Sequence, residues 1–262
     1  MSGQPIRFDD GAAYEHGMGV YSRLVGEGFL DWVAAAPGQR WVDIGCGNGA
    51  FTELLMQRAA PSEVQAVDPS AGQLEFARSR PGVRGAVFHQ GDAMALPFEA
   101  ARFDVAVMAL VLFFVPEPAR GLAEMMRVVR PGGAVCAYVW DVPEGGLPIE
   151  PVRIALREAG IEPATPPSAS VSAMGALQAA FVAAGLGQVE TRRFVAERQF
   201  ADFDAYWEAA LMVGSLGDAV AKLSPALLEG VRARTRALLR VDAAGVVTAT
   251  GVANAAKGVV PG

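Results

Sequence analysis

The sequence contains few of the residues that build disulfides or metal sites: two cysteines and two histidines among 262 residues. One pair, Cys46 and Cys136, cannot supply the several bridges that hold small secreted domains together. Histidines and cysteines this scattered do not form a ligand set for zinc, so we predict no metal site. The low cysteine content is typical of a reducing compartment, and we expect a cytoplasmic protein.

The sequence also lacks clusters of positive charge and long hydrophobic runs. Its net charge is −6, and lysine occurs only at Lys222 and Lys257. Nucleic acid is therefore not expected as a partner, because binding to the phosphate backbone needs a basic surface. No run reaches the roughly 18 apolar residues of a membrane span. The first ten residues contain no apolar core of the signal-peptide type.

What the chain has in abundance is apolar side chains, at 52% of residues, which is enough for a large core. Apolar runs alternate with helical patterns between residues 40 and 140, which predicts a doubly wound parallel sheet with helices on both faces. The predicted strands are Arg40–Ile44, Val64–Val67, Val87–Gln90, Phe103–Leu110 and Ala134–Trp140. The predicted helices are Ala50–Ala59, Ser70–Ser79 and Pro116–Arg130, and Pro131-Gly132-Gly133 is predicted as the turn into the fifth strand.

The segments on either side of this core are less regular. Residues 13–36 show helical spacing of apolar positions, and residues 141–170 are rich in proline and glycine. Further predicted elements are a short helix at Val152–Ala159, a helix at Ser172–Ala184, a strand at Gln188–Arg193, helices over Phe200–Leu239 with breaks near Gly214–Gly217 and Ser224-Pro225, and a last strand at Gly245–Asn254. The absence of repeats and low-complexity linkers favours one domain.

Three glycines at alternate positions, Gly45, Gly47 and Gly49, follow the first strand. Glycine permits a positive φ and leaves the backbone open to a ligand. Asp68 ends the second strand, where a carboxylate can accept hydrogen bonds from both hydroxyls of a ribose. These features predict a nucleoside-containing cofactor. They leave NAD open, because Gly45-x-Gly47-x-x-Ala50 also fits a relaxed dinucleotide fingerprint.

The motif Val42–Gly49, with Asp43 two residues before the first glycine, resembles the first motif of class I S-adenosylmethionine-dependent methyltransferases. The likeness is to the small-molecule, methyltransferase-11 branch. Dinucleotide dehydrogenases usually lack that aspartate. Other blocks that resemble the family in order and spacing are Ala66–Ser70, Gln90–Phe98, Phe103–Val105, Leu112–Pro116, Arg127–Gly133 and the lead-in Tyr14–Arg23.

The resemblance implies a Rossmann-like α/β fold with a seven-stranded, mostly parallel sheet. The last two strands form a hairpin that makes one strand antiparallel, and helical additions lie at the N-terminus and between those two strands. In this interpretation residues 1–262 are a single methyltransferase domain. Residues 1–38 form a helical lid, residues 39–140 the cofactor-binding core, and residues 141–262 the substrate side, with a helical insertion at about 200–240.

The resemblance also implies the residues that bind S-adenosylmethionine. Asp43 would lie near the methionine amino group or anchor the loop, Asp68 would bind the ribose, and Asp92 would bind the adenine amino group, with a backbone N–H of Ala93 or Met94 toward the ring. The full predicted set is Tyr14, Arg23, Asp43, Gly45, Cys46, Gly47, Asn48, Gly49, Asp68, Pro69, Ser70, Gly91, Asp92, Ala93, Met94, Ala109, Leu110 and Phe114.

The activity implied is methyl transfer to an O, N or C atom of a small-molecule acceptor. The helical insertion, with Tyr206 and Trp207, could line an apolar acceptor pocket or simply belong to the core. No residue stands out as catalytic, although His16 is a candidate proton acceptor. Two alternatives stay open: a non-catalytic S-adenosylmethionine-binding protein and a nicotinamide-dependent oxidoreductase. The sequence does not identify the acceptor or the oligomeric state.

Overall fold

The computed structural model describes residues 19–213 and 216–262. The strands are β1 Arg40–Ile44, β2 Glu63–Asp68, β3 Ala86–Gln90, β4 Phe103–Ala109, β5 Val129–Trp140, β6 Gly187–Phe200, β7 Arg240–Val241 and β8 Val247–Val259. The helices are α1 Val20–Val33, α2 Ala50–Arg58, α3 Ala71–Ser79, α4 Pro118–Val128, α5 Glu150–Glu158, α6 Met174–Ala183, α7 Phe203–Leu211, α8 Leu216–Ala221 and α9 Pro225–Leu238.

All strands belong to one sheet with the order β3-β2-β1-β4-β5-β8-β6, and β7 pairs with β8 at the side. The first five strands are parallel to one another, whereas β8 is antiparallel to both β5 and β6. The predicted α/β fold with a mostly parallel sheet and one antiparallel strand in its last hairpin is confirmed. Among the described residues, seven strands lie side by side along the sheet, and the two-residue β7 is an addition that pairs with β8 off this path.

The last hairpin is longer than the sequence predicted. Strand β6 continues to Phe200, which was predicted as a helix start, because its residues pair with β8 as far as the contact between Phe200 and Val247. Asp202 then caps α7 by accepting a hydrogen bond from the backbone N–H of Ala205 at 2.9 Å. The predicted helical insertion is present as α7, α8 and α9, and the predicted break at Ser224-Pro225 is the start of α9.

The predicted turn at Pro131-Gly132-Gly133 lies inside β5 as an irregularity of the strand. The register with β4 shifts there, and pairing resumes between Val105 and Ala134. Gly132 has a φ of +75° and donates its N–H to the Val260 carbonyl at 2.8 Å. The turn residues therefore bulge the strand without ending it.

Helix α1 lies over the sheet and packs against α2, β6 and β8. Its Phe29 ring lies 4.7 Å from the ring of Tyr138 in β5. This helix is the part of the predicted N-terminal lid that the structure describes. Tyr14 and His16 lie outside the described residues. Across 19–213 and 216–262, no helix combines the length and apolar character needed to cross a membrane.

Candidate cofactor-binding and active site

The glycine loop between β1 and α2 has the left-handed backbone that its composition predicts. The φ angles are +74° at Gly45, +52° at Gly47 and +79° at Gly49. A Cβ atom on Gly45 would lie 2.5 Å from the side chain of Val111, so a larger residue there would need the chain to move. Among the described residues, a Cβ atom on Gly47 would meet nothing closer than 4.0 Å. The loop is thus packed at one end and open at its middle.

Backbone hydrogen bonds tie this loop to the end of β2. The N–H groups of Gly45 and Cys46 both donate to the Val67 carbonyl, at 2.7 and 3.0 Å. The N–H of Gly47 donates to Oδ2 of Asp68 at 2.8 Å. The loop that follows the first strand and the acidic end of the second strand therefore form one connected surface at the carboxyl edge of the sheet.

Asp68 is buried, with 8% of its surface exposed, and binds two backbone amides. Besides Gly47, its Oδ1 accepts a hydrogen bond from the N–H of Ser70 at 2.9 Å. Burial raises its pKa, and the two amide hydrogen bonds lower it again. A carboxylate has about four acceptor positions, so about two are left for hydroxyl groups of a ligand.

Asp43 is fully buried, and only one of its oxygens is satisfied. Its Oδ2 accepts a hydrogen bond from the hydroxyl of Thr52 at 2.6 Å, whereas Oδ1 has no hydrogen-bond partner. Burial is the main cause that raises the pKa of Asp43 to about 7; the Thr52 bond lowers it and the charge of Asp68 raises it. An unpartnered buried carboxylate oxygen is costly, so this position is arranged for a donor that the described residues do not supply.

The block after β3 is joined to this edge through Gly91, whose N–H donates to the Asp68 carbonyl at 3.1 Å. The side chain of Asp92 accepts a hydrogen bond from the N–H of Met94 at 2.8 Å. The N–H of Met94 is therefore already used within its own turn. Asp92 itself is exposed, and a carboxylate in this position can accept further hydrogen bonds.

The exit of β4 has strained backbone. Leu110 has a φ of +62°, which is unfavourable for a side chain of this size, and its N–H donates to the Tyr138 carbonyl at 2.8 Å. Ala109 and Phe114 are half-buried, and the Phe114 ring packs on Phe113 at a centroid distance of 4.3 Å. Strain of this kind occurs at functional sites, which agrees with the predicted position of the active site.

Charged residues support the loop from the side. Glu53 forms ion pairs with Arg80 at 3.0 Å and with Arg23 at 3.5 Å. Arg80 also donates to the carbonyl of Asn48 in the loop at 2.6 Å. The predicted cofactor residue Arg23 therefore lies close to the loop, held by Glu53. Cys46 is buried, and burial raises the pKa of its thiol well above the usual value, which fits a packing role.

The structure brings Asp43, Asp68 and the glycine loop together, with Asp92 on the adjoining turn. Pro69 and Ser70 shape this edge: the Pro69 carbonyl accepts from the side chain of Gln90 at 3.0 Å, and Ser70 caps α3. Sequence reasoning missed the hydroxyl of Thr52, although its place nine residues after Asp43, one turn into α2, could have indicated it. The described residues contain no cluster of three or more histidine, cysteine or acidic side chains that could hold a metal ion.

A parallel sheet of this order, with a glycine loop after β1 and an aspartate ending β2, defines the class of α/β proteins that bind nucleoside cofactors. Residues 42–137 match the family model described as a methyltransferase domain.

The chain is similar to curated proteins over part of their length. It is 40% identical over 97 residues to 2-methyl-6-phytyl-1,4-hydroquinone methyltransferase 2 of Oryza sativa subsp. japonica, covering 37% of this chain and 28% of that protein. It is 39% identical over 118 residues to demethylmenaquinone methyltransferase of Renibacterium salmoninarum, covering 45% and 48%. The chain thus spans about half or less of the length of these relatives.

Solved structures share the fold over nearly the whole chain. The YcgJ protein of Bacillus subtilis has a TM-score of 0.62 at 19% identity, covering 91% of this chain and 99% of that one. Phosphoethanolamine N-methyltransferase 2 of Haemonchus contortus, in complex with S-adenosyl-L-methionine, has a TM-score of 0.56 at 17% identity, covering 95% and 56%. At these identities the likeness shows the fold.

Proposed function

We propose that the protein is an S-adenosylmethionine-dependent methyltransferase that acts on a small-molecule acceptor. The observation that carries the proposal is the Oδ1 of Asp43, which has no hydrogen-bond partner among the described residues and belongs to a carboxyl group whose pKa burial raises to about 7. A methionine moiety carries an ammonium group that would satisfy this oxygen. A nicotinamide dinucleotide carries a pyrophosphate near the glycine loop, and a buried carboxylate opposes a second anion.

The remaining predicted contacts fit the same cofactor. Asp68 would bind the ribose hydroxyls with its free acceptor positions, and Asp92 would accept from the adenine amino group. Of the two N–H groups considered for the adenine ring, Ala93 is the better choice, because the N–H of Met94 is bound to Asp92. The backbone of Ala109 and Leu110 would border the methionine end.

S-adenosylmethionine supplies an activated methyl group on a sulfonium when it is bound. The contribution of the protein is then mainly to orient the two reactants, and good alignment can contribute on the order of 7–11 kcal/mol. No catalytic triad is required for this chemistry. A base is needed only where the acceptor must lose a proton, and the candidate His16 stays a proposal outside the described residues.

The two similar proteins are named as methyltransferases of a phytyl hydroquinone and of demethylmenaquinone, which supports a small-molecule acceptor for this chain. The acidic net charge of −6 supports the proposal that nucleic acid is not a partner. The free cysteines Cys46 and Cys136 support a cytoplasmic location. We also propose that residues 1–262 act as a single domain, with the strands of both halves in one sheet.

Isothermal titration calorimetry with three compounds tests the cofactor. We expect S-adenosylmethionine and S-adenosylhomocysteine to bind and NAD to give no heat above dilution. Binding of NAD alone would favour the oxidoreductase alternative, and binding of neither would refute the proposal. Release of S-adenosylhomocysteine during incubation with S-adenosylmethionine and an acceptor would separate an enzyme from a non-catalytic binding protein.

A further inference from the structure

The hydroxyl of Tyr21 in α1 is a buried polar group that the proposed cofactor contacts do not explain. The residue is 2% exposed, and its oxygen has no hydrogen-bond partner among residues 19–213 and 216–262. A buried hydroxyl without a partner costs free energy, and replacing it by hydrogen would remove that cost. Such a group is expected where a ligand completes the hydrogen bond.

Tyr21 lies at the carboxyl edge of the sheet, on the same face as the proposed cofactor site. Its ring contacts the edge of Trp140, the last residue of β5, at a centroid distance of 6.3 Å. The register pairs Asp43 with Val107 and Ala109 with Tyr138. Paired residues share a face, and so do residues two apart along a strand, so the side chains of Asp43, Ala109 and Trp140 all project toward α1 and α2.

The surroundings of Tyr21 also include residues of α7 and β6. Tyr206 of α7 is equally buried, but its hydroxyl is already used, because it donates to the Pro148 carbonyl at 3.2 Å. The charge of Tyr21 acts on the pKa of Tyr206, and the charge of Arg198 in β6 acts on that of Tyr21, so these groups are neighbours. Burial dominates and raises the pKa of Tyr21 far above its usual value, so the phenol is a neutral hydrogen-bond donor.

We propose that Tyr21 binds the methyl acceptor, and that its hydroxyl donates a hydrogen bond to a ring oxygen of a small phenol or hydroquinone. The proposal rests on the proposed methyltransferase function, which places the methyl donor beside Asp43. A hydrocarbon acceptor would leave the hydroxyl unsatisfied. The aromatic ring of Trp140, which contacts Tyr21, favours a flat partner.

The first experiment compares 1,4-hydroquinone with p-xylene, which has a similar shape but no oxygen. Each is titrated under anaerobic conditions into protein saturated with S-adenosylhomocysteine, and binding is followed by saturation-transfer NMR. In Tyr21→Phe we expect the affinity for hydroquinone to fall by about 10-fold, the affinity for p-xylene to stay unchanged, and S-adenosylhomocysteine to bind as in the wild type.

Tyr206→Phe is the matched control, because it removes a buried hydroxyl that already has a partner. We expect it to leave the affinity for hydroquinone within about twofold. An equal loss in both variants, an unchanged affinity in Tyr21→Phe, or no binding of hydroquinone to the wild type would overturn the role of Tyr21. A protein that fails to bind S-adenosylhomocysteine would instead refute the proposed function itself.

A second readout needs no ligand. Without its partner, the hydroxyl of Tyr21 contributes nothing to stability, so Tyr21→Phe should leave the Tm of the free protein unchanged or raise it. Tyr206→Phe should lower the Tm by about 2–4 °C, because the Pro148 carbonyl loses its donor. A lower Tm for Tyr21→Phe would show that its hydroxyl has a structural partner, and the proposal would fail.

Discussion

The aspartates at the two edges of the parallel sheet differ in their ion pairing and in the direction of their pKa shifts. At the amino edge, Asp104 accepts hydrogen bonds from the guanidinium groups of Arg40 and Arg130, at 3.1 and 2.6 Å. The hydrogen bonds from Arg40, and then those from Arg130, hold the pKa of Asp104 well below its usual value. At the carboxyl edge, no ion pair within the described residues reaches Asp43 or Asp68, and burial raises the pKa of both.

This difference suggests that the aspartate at one edge contributes to folding stability, whereas those at the other edge are available for ligand binding. A carboxylate with its own arginines contributes to the folded state in the absence of any ligand. A buried carboxylate without a cation lowers the stability of the free protein and gains its partner only when a ligand binds. The amino edge therefore holds the sheet together, and the carboxyl edge keeps its hydrogen-bonding capacity available.

The largest expected effect is the loss of cofactor binding in Asp68→Ala. Removing the carboxylate takes away the acceptors proposed for both ribose hydroxyls, so we expect the affinity for S-adenosylmethionine to fall on the order of 100-fold. Calorimetry measures the affinity, and circular dichroism checks that the variant is folded. An affinity within about threefold of the wild type would contradict the ribose role.

At the amino edge, the variant Asp104→Asn should lower the stability of the fold and leave cofactor affinity nearly unchanged. We expect the free energy of unfolding to fall by about 2 kcal/mol, because charge-assisted hydrogen bonds to two arginines are weakened. The affinity for S-adenosylmethionine should stay within about twofold. Urea unfolding and calorimetry on the same preparation give both values, and a large loss of affinity would break the proposed separation of the two edges.

For Asp43→Asn we expect a smaller change in the free energy of unfolding, and one that is stabilising where that of Asp104→Asn is destabilising. The pKa of Asp43 is about 7 in the folded protein against 3.8 for an ordinary carboxyl, so folding favours the protonated form. Its contribution to stability is complete below pH 3.8 and is lost as the pH rises through about 7. We therefore expect Asp43→Asn to stabilise the free protein by about 1 kcal/mol at pH 8, and by less at pH 5.

Urea unfolding of Asp43→Asn at the two pH values tests whether the substitution stabilises the protein. Thr52, which donates to Asp43 in the wild type, is left unchanged in this variant. A variant that is less stable than the wild type at pH 8 would show that the carboxylate already has a stabilising partner. The same variant should bind S-adenosylmethionine more weakly, because the ammonium group loses its counter-charge.

The smallest expected change is in the pH dependence of Asp104→Asn. Since the pKa of Asp104 is lowered, its stabilising contribution is complete above its ordinary pKa and is lost only as the pH falls below that value. The stability difference between Asp104→Asn and the wild type should therefore be constant between pH 5 and pH 8. A stability difference that changes between pH 5 and pH 8 would mean that another titrating group affects the ion pairs of Asp104.

The sequence predicted β1, β2 and β4 to within about one residue, because short, mostly apolar runs between turn residues leave few alternatives. It predicted the ends of β6 and β8 poorly. Strand β6 lies at the edge of the sheet, where exposed charged residues such as Glu190 and Glu197 alternate with residues that are mostly only partly buried, and this weakens the apolar pattern.

The candidate site was predictable as a set of positions but not as a set of interactions. The motif around Gly45 located the loop, yet nothing in it indicated that Oδ1 of Asp43 is left without a partner. Tyr21 was part of an apolar helical stripe, and its isolated hydroxyl emerged only from the packing against β5. The arginines that bind Asp104 come from distant positions in the chain, Arg40 and Arg130, and pairing of that kind has no local signature.

The position of β8 sets an order on the folding of the growing chain. Within the part of the chain that the structure describes, strand β6 pairs only with β8, although β8 follows it in sequence after the whole helical insertion. During synthesis the parallel strands from β1 to β5 can assemble as they emerge from the ribosome. Strand β6 must wait for β8 before it can pair, so the half of the sheet nearest the proposed acceptor site is completed last.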